Sequence, residues 1–282
     1  MGSTHIEIIT VVRNDPEGLI RTIESVHEQS YESVRHIIID GASNDEKTSD
    51  ILNLYKDKVG LIVSEPDKGI YDAMNKGMSY AKEDSFIIFL NAGDVFADND
   101  GLLIIAKEAE GDTEAVYGNI LVKDADNKLV SQKARKFDFA HLLSFGTGVL
   151  CHQAFFIKKS LAPKYNLDYK LKAELDWYFE ILEQHPNLKI NHVDHSVVIF
   201  AVGGAGYQNF IKSRLEWLRV VRRRYGLRAI SDSGLFLYLM KNSSYRYPWI
   251  ERVPLNLQLF KGIALIFKAI TRPLEPVKIR KR

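Results

Sequence analysis

The chain has 282 residues, of which 46% are hydrophobic and 26% charged, and its formal net charge is +2. This composition is typical of an ordinary globular protein and excludes the disordered and fibrous classes. The one cysteine, Cys151, excludes an internal disulfide and a cysteine-rich zinc site. No apolar run approaches the roughly 18 residues of a membrane span, and the N-terminus lacks a signal-sequence pattern, so we expect a cytoplasmic protein.

The small net charge hides an uneven distribution along the chain. Residues 212–282 carry 17 basic and 4 acidic side chains, whereas residues 1–211 carry 21 basic and 32 acidic ones. This asymmetry indicates an acidic part that binds a cation and a basic part that meets something anionic.

Short apolar runs alternate with longer amphipathic stretches through the first 110 residues. Consecutive apolar residues within the runs are typical of strands that are buried on both faces. The predicted strands are 6–12, 36–40, 60–64 and 86–90, and the predicted helices are 16–29, 45–57, 69–82 and 100–110. This alternation predicts a doubly wound, mostly parallel α/β sheet.

Beyond residue 110 the alternation is looser. Residues 115–122 and 129–132 predict a hairpin, 171–184 have helical spacing, and 153–158 and 193–201 predict further strands. From 207 onward the sequence is predicted to be helical and basic. We therefore expect an α/β domain over 1–210 and a basic helical C-terminal extension over 211–282.

Polar residues follow each of the first four predicted strands. In open α/β sheets, ligands bind at the carboxyl ends of the strands. One such end would mean little, because Asp and Asn are also common helix caps. Four in succession predict a binding site, and they are Arg13-Asn14-Asp15, Asp40-Gly41, Glu65-Pro66-Asp67 and Asn91-Ala92-Gly93-Asp94.

Several familiar sites are absent from the sequence. It contains no Walker A phosphate loop, no G-x-S-x-G nucleophile elbow and no H-E-x-x-H metal helix, and residues 13–18 hold a single glycine where a dinucleotide fingerprint needs three. With these sites excluded, carboxylates are the groups that we expect to bind the ligand. Asp94 alone is equally compatible with a helix cap and with a ligand of Mg²⁺ or Mn²⁺.

Four segments together carry a resemblance to a known family: 8–14, 39–45, 64–77 and 91–94. The sequence resembles family 2 glycosyltransferases, which have the Rossmann-like GT-A fold. The segment 64–77 is the most specific and is similar to a bacterial surface-polysaccharide, colanic-acid-like subgroup. The resemblance covers about residues 5–205, and Asn91-Ala92-Gly93-Asp94 stands where the family has its D-x-D metal motif.

The resemblance implies an inverting transfer of a sugar from a nucleoside diphosphate, with a UDP-sugar favoured, to a glycan or polyprenyl-linked acceptor in bacterial polysaccharide synthesis. It divides the catalytic domain into a nucleotide-sugar half at about 1–98 and an acceptor half at about 99–210. Mn²⁺ or Mg²⁺ would be held by Asp94, the only carboxylate in its motif, together with the diphosphate. The implied nucleotide contacts are Thr10, Val12, Asn14, Asp40, Asp67, Lys68, Asn91 and Gly93.

The resemblance also implies a general base at the start of a helix within 172–178. Glu174 and Asp176 are two residues apart, about 200° around a helix, so they cannot both face the cleft. By resemblance we expect Asp176 to be the base and Glu174 to cap the helix or face solvent. Alternatively, both acids only favour a helix N-terminus. The other sugar-side or acceptor-side candidates are Asp72, Asn75, Lys76, His152, Gln153, Gly203 and Gly204.

For several of these residues a structural role stays open. Lys68 and Lys76 also fit the solvated face of a helix, and His152 also fits a buried structural histidine. His195 is a weaker candidate for a further metal ligand. Cys151 is expected to be a small packing residue, because no motif surrounds it.

Three interpretations fit the basic extension. It lies on an anionic membrane surface, it binds nucleic acid, or it docks on the acidic body. No nucleic-acid motif accompanies it, and a lipid-linked acceptor favours the membrane, so we expect a peripheral protein on the inner face. Two other functions stay open for the chain. One is a sugar-phosphate nucleotidyltransferase, although Asp15-Pro16-Glu17-Gly18 lacks the expected basic, glycine-rich character. The other is a non-enzymatic, basic surface-binding protein on an α/β scaffold.

Overall fold

The computed structural model describes residues 4–123, 128–200 and 209–232. Within these ranges, nine strands form one sheet in the order β3-β2-β1-β4-β8-β6-β9-β5, and β7 pairs with β6. The strands are β1 Ile6–Val12, β2 Val34–Asp40, β3 Leu61–Ser64, β4 Phe86–Phe89, β5 Val95–Phe96, β6 Ala115–Lys123, β7 Leu129–Gln132, β8 Phe155–Lys158 and β9 Ile190–Phe200.

Seven α-helices belong to the same ranges. Asp15 and Asp45 cap the first two, because their carboxylates accept the backbone N–H groups of Gly18 at 2.9 Å and Thr48 at 2.7 Å. The helices are α1 Pro16–His27, α2 Glu46–Tyr55, α3 Ile70–Tyr80, α4 Gly101–Glu108, α5 Phe139–Phe145, α6 Ala173–Gln184 and α7 Phe210–Asp232.

The sheet has a parallel half and a mixed half. Strands β1, β2, β3 and β4 pair in parallel. β8 runs antiparallel to both β4 and β6, β9 is parallel to β6, and β5 is antiparallel to β9. The predicted α/β fold is therefore confirmed, and its parallel character is concentrated in the first half of the chain.

Helices cover both faces of the sheet, as a doubly wound fold requires. On one face α3, α6 and α7 pack with Ile9 and Ile39. On the other face α4 packs with Ile8, while α1 and α2 pack with Ile38. Gly77 lets α3 approach closely, since a Cβ atom there would lie 2.3 Å from Cγ2 of Ile9.

Helix α7 begins at the boundary that we predicted between the catalytic domain and the extension. Its residues Trp217, Val220 and Val221 are buried in the same core as Trp177 of α6. The described part of the extension is thus packed on the α/β body, as one of the three interpretations expected. Residues 233–282 lie outside the described residues, as do Gly203 and Gly204. Among the helices that the structure describes, none combines the length and apolar character needed to cross a membrane.

Candidate active site

The loops that follow β1 and β2 are tied together at the carboxyl edge of the sheet. The backbone N–H of Asn14 donates to Oγ of Ser43 at 2.7 Å, and the N–H of Asn44 donates to Oδ1 of Asn14 at 2.9 Å. Asn14 has φ of 53° and Ala42 has φ of 54°. Each loop therefore contains one residue in the left-handed backbone region, as tight turns often do.

Asp40 ends β2 and joins this edge to β3. Its buried carboxylate accepts the hydroxyls of Ser43 at 2.5 Å and Ser64 at 2.6 Å, and also the backbone N–H of Ser43 at 3.1 Å. Groups of the protein therefore orient both carboxylate oxygens. Asp40 therefore fixes the loop after β2 and ties it to β3.

Asp67 lies over the turn that begins at Gly41. A Cβ atom on Gly41 would lie 2.2 Å from Oδ2 of Asp67, so a larger residue there would force this carboxylate to move. Oδ1 of Asp67 accepts the N–H of Gly69 at 2.7 Å. The exposed Lys68 follows, and its N–H donates to Oδ2 of Asp72 at 2.9 Å. Asp40, Asp67 and Lys68 are thus gathered at one edge of the sheet, as predicted.

Thr10 and Val12 are buried within the sheet. The Thr10 hydroxyl donates to the carbonyl of Leu90 at 2.8 Å, and it lies 2.8 Å from Nε2 of His36. Because its one proton is already used, Nε2 of His36 must be the donor. Burial lowers the pKa of His36 to about 3, so the imidazole is neutral. We had expected Thr10 to contact the nucleotide, but its side chain is fully buried within the sheet.

Asn75 and Lys76 have partners within the protein. The Asn75 carboxamide donates to the carbonyl of Tyr165 at 2.9 Å and accepts its N–H at 2.7 Å. Lys76 Nζ lies 2.8 Å from Glu65 and donates to the carbonyl of Pro66 at 2.7 Å. The hydrogen bond to Glu65 raises the pKa of Lys76. We had expected these side chains to line the cleft, but Asn75 anchors the segment at Tyr165 and Lys76 anchors the loop before α3.

A threonine side chain of α1 holds the turn 91–94 in place. The Thr22 hydroxyl donates to the carbonyl of Asp94 at 2.8 Å and accepts the N–H of Gly93 at 3.0 Å. Gly93 has φ of 96°, which a side chain rarely tolerates. Asp94 is only 3% exposed, and its carboxylate accepts a hydrogen bond from Nε2 of Gln153 at 3.0 Å. Two predicted site residues from different halves of the chain are therefore in direct contact.

The turn also offers oxygen ligands for a divalent cation. Oδ1 of Asn91 is buried and has no hydrogen-bond partner among the described residues. Mg²⁺ and Mn²⁺ bind carboxylate and amide oxygens and take further ligands from substrate phosphates. Asn91 and Asp94 therefore fit such an ion, although the described residues contain no cluster of three or more His, Cys, Asp or Glu ligands. His195, the weaker candidate for a further metal ligand, is paired with Asp98, since its Nε2 lies 2.9 Å from Oδ2 of that residue.

Glu174 lies in the first turn of α6 in a mostly buried, polar environment. The Tyr71 hydroxyl donates to its Oε2, and Nζ of Lys172 lies 3.6 Å from its Oε1. Lys172 Nζ also donates to the Thr147 hydroxyl at 2.9 Å. Burial raises the pKa of Tyr71 well above its ordinary value, so its hydroxyl remains a proton donor. We had expected Glu174 to cap the helix or face solvent, but the residue is only 9% exposed.

Cys151 and His152 connect this environment to Asp94. Burial raises the pKa of the Cys151 thiol, and the charges of Asp94 and Glu174 raise it further. Both carboxylates therefore act on the same sulfur, which also lies 2.6 Å from Oε1 of Gln153. Burial lowers the pKa of His152, and its Nε2 has no hydrogen-bond partner within the described chain. Asp94 thus contacts Gln153 directly, and the charge of Glu174 acts on the two residues before it.

Asp176 lies on the other side of α6. It is buried and forms an ion pair with Nε of Arg224 in α7. Arg224 also contacts Glu180 at 3.0 Å and Glu183 at 2.9 Å. This differs from the expectation that Asp176 faces the cleft, because α7 covers the face of α6 that carries Asp176. Sequence reasoning did not single out Lys172, Arg224 or Tyr71, although Tyr71 lies inside the segment 64–77.

A family model described as Glycosyl transferase family 2 matches residues 7–165. The chain belongs to glycosyl transferase family 2. The match spans β1 to β8 and includes the edge of the sheet and the turn 91–94. The resemblance on the segments 8–14, 39–45, 64–77 and 91–94 is confirmed at the level of the family, while the colanic-acid-like subgroup stays a prediction.

Several relatives of this family 2 chain come from mycobacteria. A PGL/p-HBAD biosynthesis glycosyltransferase of Mycobacterium bovis is 31% identical over 190 residues, which cover 64% of this chain and 70% of that protein. The chain spans from 66% to 70% of the length of the first mycobacterial relatives that it matches.

Solved structures of other glycosyltransferases share the fold. S. aureus TarS 1-349 matches with a TM-score of 0.62 at 14% identity, over 94% of this chain and 80% of that one. Mannosyltransferase PcManGT from Pyrobaculum calidifontis, in complex with GDP-Man and Mn²⁺, matches with a TM-score of 0.59 at 14% identity, over 97% and 88%. These similarities confirm the predicted fold, which is that of GT-A glycosyltransferases.

Proposed function

We propose that this protein is an inverting glycosyltransferase that moves a sugar from a nucleoside diphosphate, with a UDP-sugar favoured, to a glycan or lipid-linked glycan acceptor in bacterial polysaccharide or glycolipid synthesis. The observation that carries the proposal is that residues 151–153 link two carboxylates, since Gln153 contacts Asp94 and the charge of Glu174 acts on Cys151 and His152. One carboxylate follows β4 and suits a metal-bound diphosphate. The other begins α6 and suits an acceptor hydroxyl.

The donor would lie along the carboxyl edge of β1, β2 and β3. Asp40, Asp67 and Asn14 offer oriented hydrogen-bonding groups for the nucleoside, and Lys68 offers a positive charge. Asn91 and Asp94 would hold Mn²⁺ or Mg²⁺, which when bound neutralises negative charge on the leaving diphosphate. Among the solved structures with this fold, PcManGT is in complex with GDP-Man and Mn²⁺, and S. aureus TarS 1-349 is in complex with UDP-GlcNAc. Both complexes support this class of donor.

We assign the general base to Glu174 in place of Asp176. The charge of Glu174 acts on Cys151 and His152, which precede the Gln153 that contacts Asp94, whereas Asp176 is engaged by Arg224. The Tyr71 hydroxyl fixes Oε2, and Lys172 places a positive charge near Oε1. In this arrangement Glu174 takes the proton from the acceptor hydroxyl as that oxygen attacks the sugar. His152 and Gln153 are proposed to contact the sugar or the acceptor.

A screen of nucleotide-sugars tests the proposed function. We expect one of the UDP-, GDP- or dTDP-sugars, with Mn²⁺, to raise the Tm of the full chain by about 5 °C at about 100 times its Kd. The same donor should then release nucleoside diphosphate in the presence of an acceptor glycan. No stabilisation by any of these donors would favour the scaffold hypothesis. Turnover of a sugar phosphate with a nucleoside triphosphate would favour the nucleotidyltransferase.

The structure adds an argument against the nucleotidyltransferase. That reaction favours a glycine-rich, basic loop after the first strand. In this chain the segment after β1 is a capped helix start, in which Asp15 accepts the N–H of Gly18 at 2.9 Å and Pro16 is the first helical residue. The loop after β1 therefore places the carboxylate of Asp15 where a nucleotidyltransferase would favour glycine and basic residues.

The outer face of α7 supports the proposed contact with an anionic membrane on the cytoplasmic side. Ile211 and Leu215 are 64% and 60% exposed, and the exposed Lys212, Arg219 and Arg222 lie within about 100° of them around the helix. Exposed apolar residues beside basic ones are typical of helices that lie at a membrane surface. The opposite face of α7 is occupied by the α/β body.

A double variant tests this contact. Ile211→Ser with Leu215→Ser should weaken binding to vesicles containing phosphatidylserine by at least about tenfold, because two apolar side chains no longer enter the interface. Leu54→Ser is the matched control, since Leu54 is 63% exposed on α2 and lies away from this face. Equal binding of the double variant and the wild type in a sedimentation assay would reject this face as the contact.

A further inference from the structure

Helix α7 supplies a carboxylate to the chain just before α6. Oε1 of Glu216 accepts the backbone N–H of Lys170 at 2.9 Å. Oε2 of Glu216 accepts the N–H groups of Leu171 and Lys172, the latter at 2.7 Å. Three consecutive amides therefore converge on one side chain that lies 44 to 46 residues later in the sequence.

These amides lead directly into the turn that carries Glu174. Lys172 is the N-cap residue of α6, and its side chain makes no capping hydrogen bond. A carboxylate at the start of a helix is also favoured by the helix dipole. Glu216 therefore provides from α7 the acceptor for the amides that lead into this helix, and it fixes the backbone from which Lys172 and Glu174 extend.

A second set of contacts joins α7 to the same region. Trp217 is so close to Gly146 that a Cβ atom on that glycine would lie 2.6 Å from the indole ring. Thr147, the next residue, accepts Nζ of Lys172 at 2.9 Å. Adjacent residues of α7 thus support both the backbone of Lys172 and the residue that receives its side chain.

We propose that Glu216 is a positioning residue for sugar transfer, which acts through the amides of 170–172 to hold Lys172 and Glu174 in place relative to Asp94. This inference rests on the proposed function, in which Glu174 is the base. It also extends the catalytic unit to include α7, beyond the boundary at 210. Glu216 acts on the reaction only through the backbone that it holds.

The variant Glu216→Gln tests the inference in the full chain. Glutamine has nearly the same size, but its NH₂ group replaces one of the two acceptor oxygens, so at least one of the three amides loses its partner. We expect at least about tenfold faster hydrogen exchange in the peptide that spans 170–176. We also expect kcat to fall by about 100-fold, as misplacement of a catalytic group can cause, while the Kd of the nucleotide donor changes less than about twofold.

Asp168→Asn is the matched control. It removes a carboxylate from the same segment, namely the partner of Arg223 in α7 at 2.7 Å, but leaves the three amides bonded. Both side chains of that pair are exposed, so its loss should have little effect on exchange or kcat. Glu216→Asp serves as a second variant if the glutamine variant does not fold.

The outcomes separate this inference from the proposed function. Faster exchange at 170–176 with unchanged kcat would overturn the positioning role, as would an equal loss of kcat in Asp168→Asn. If the wild type binds no nucleotide-sugar and transfers no sugar, the proposed function fails, and the positioning role fails with it. A loss of kcat in Glu216→Gln at temperatures well below its Tm, with donor binding retained, supports both.

Discussion

Replacing Glu174 by glutamine is expected to lower kcat by about 1000-fold and to change the Kd of the nucleotide donor by less than about twofold. General bases contribute about 10²- to 10⁴-fold to rates, and an amide cannot take the proton of the acceptor hydroxyl. The glutamine oxygen can still accept the hydrogen bond from Tyr71, so the local packing is retained. Donor titration and initial rates at saturating acceptor separate the two effects.

Asp176→Asn is the control for this prediction, because it makes the same chemical change on the other side of α6. Arg224 would keep Glu180 and Glu183 as partners, so we expect a loss of stability of about 1–3 kcal/mol. The kcat of the folded variant should fall less than about tenfold. The reverse result, with the Asp176 variant inactive and the Glu174 variant active, would return the role of base to Asp176.

Replacing Asp94 by asparagine is expected to abolish the part of donor binding that depends on metal. The carboxylate is the only charged ligand in the turn 91–94, and a divalent ion at a diphosphate contributes several kcal/mol. We therefore expect about 100-fold weaker binding of the nucleoside diphosphate in Mn²⁺. The Kd of the variant should then match that of the wild type in EDTA, as measured by calorimetric titration.

Asp98→Asn provides the matched control for Asp94. Asp98 lies four residues later and is paired with His195 at 2.9 Å, so its loss should leave metal-dependent binding intact. If the wild type bound the donor equally well with Mn²⁺ and with EDTA, the metal role of Asp94 would be rejected. If Asp98→Asn lost metal-dependent binding as strongly as Asp94→Asn, His195 and Asp98 would have to be part of the site.

The edge of the sheet that binds the donor could be predicted from the sequence because its signals are local. Buried parallel strands are runs of consecutive apolar residues, and the polar residues that follow each strand necessarily share one edge. Asp40, Asp67 and Asp94 are found there. The mixed pairing of β6, β8 and β9 left no comparable signal, since these strands are separated by irregular segments.

The two acids of α6 show where local reasoning ends. Helical geometry predicts that Glu174 and Asp176 point in different directions, and they do. Which of them α7 leaves uncovered depends on the position of α7, and α7 is held by Trp217 and Arg224, more than 40 residues away in sequence.

Polar residues inside a recognised segment pose the same difficulty. Asn75 bonds the backbone of Tyr165, 90 residues later, and Lys76 bonds Glu65. The sequence pattern cannot distinguish a side chain that holds a loop from one that holds a ligand, because both require the same donors and acceptors.

The distance along the chain between Glu216 and the amides that it holds has a consequence for biosynthesis. Ribosomes make the chain from its N-terminus, so β1 to β4 and the turn 91–94 emerge well before α7. A nascent chain that ends before residue 209 already contains Asp40, Asp67 and Asp94, but the segment before α6 still lacks Glu216. We therefore expect the ability to bind a nucleotide to arise during synthesis before the ability to transfer a sugar.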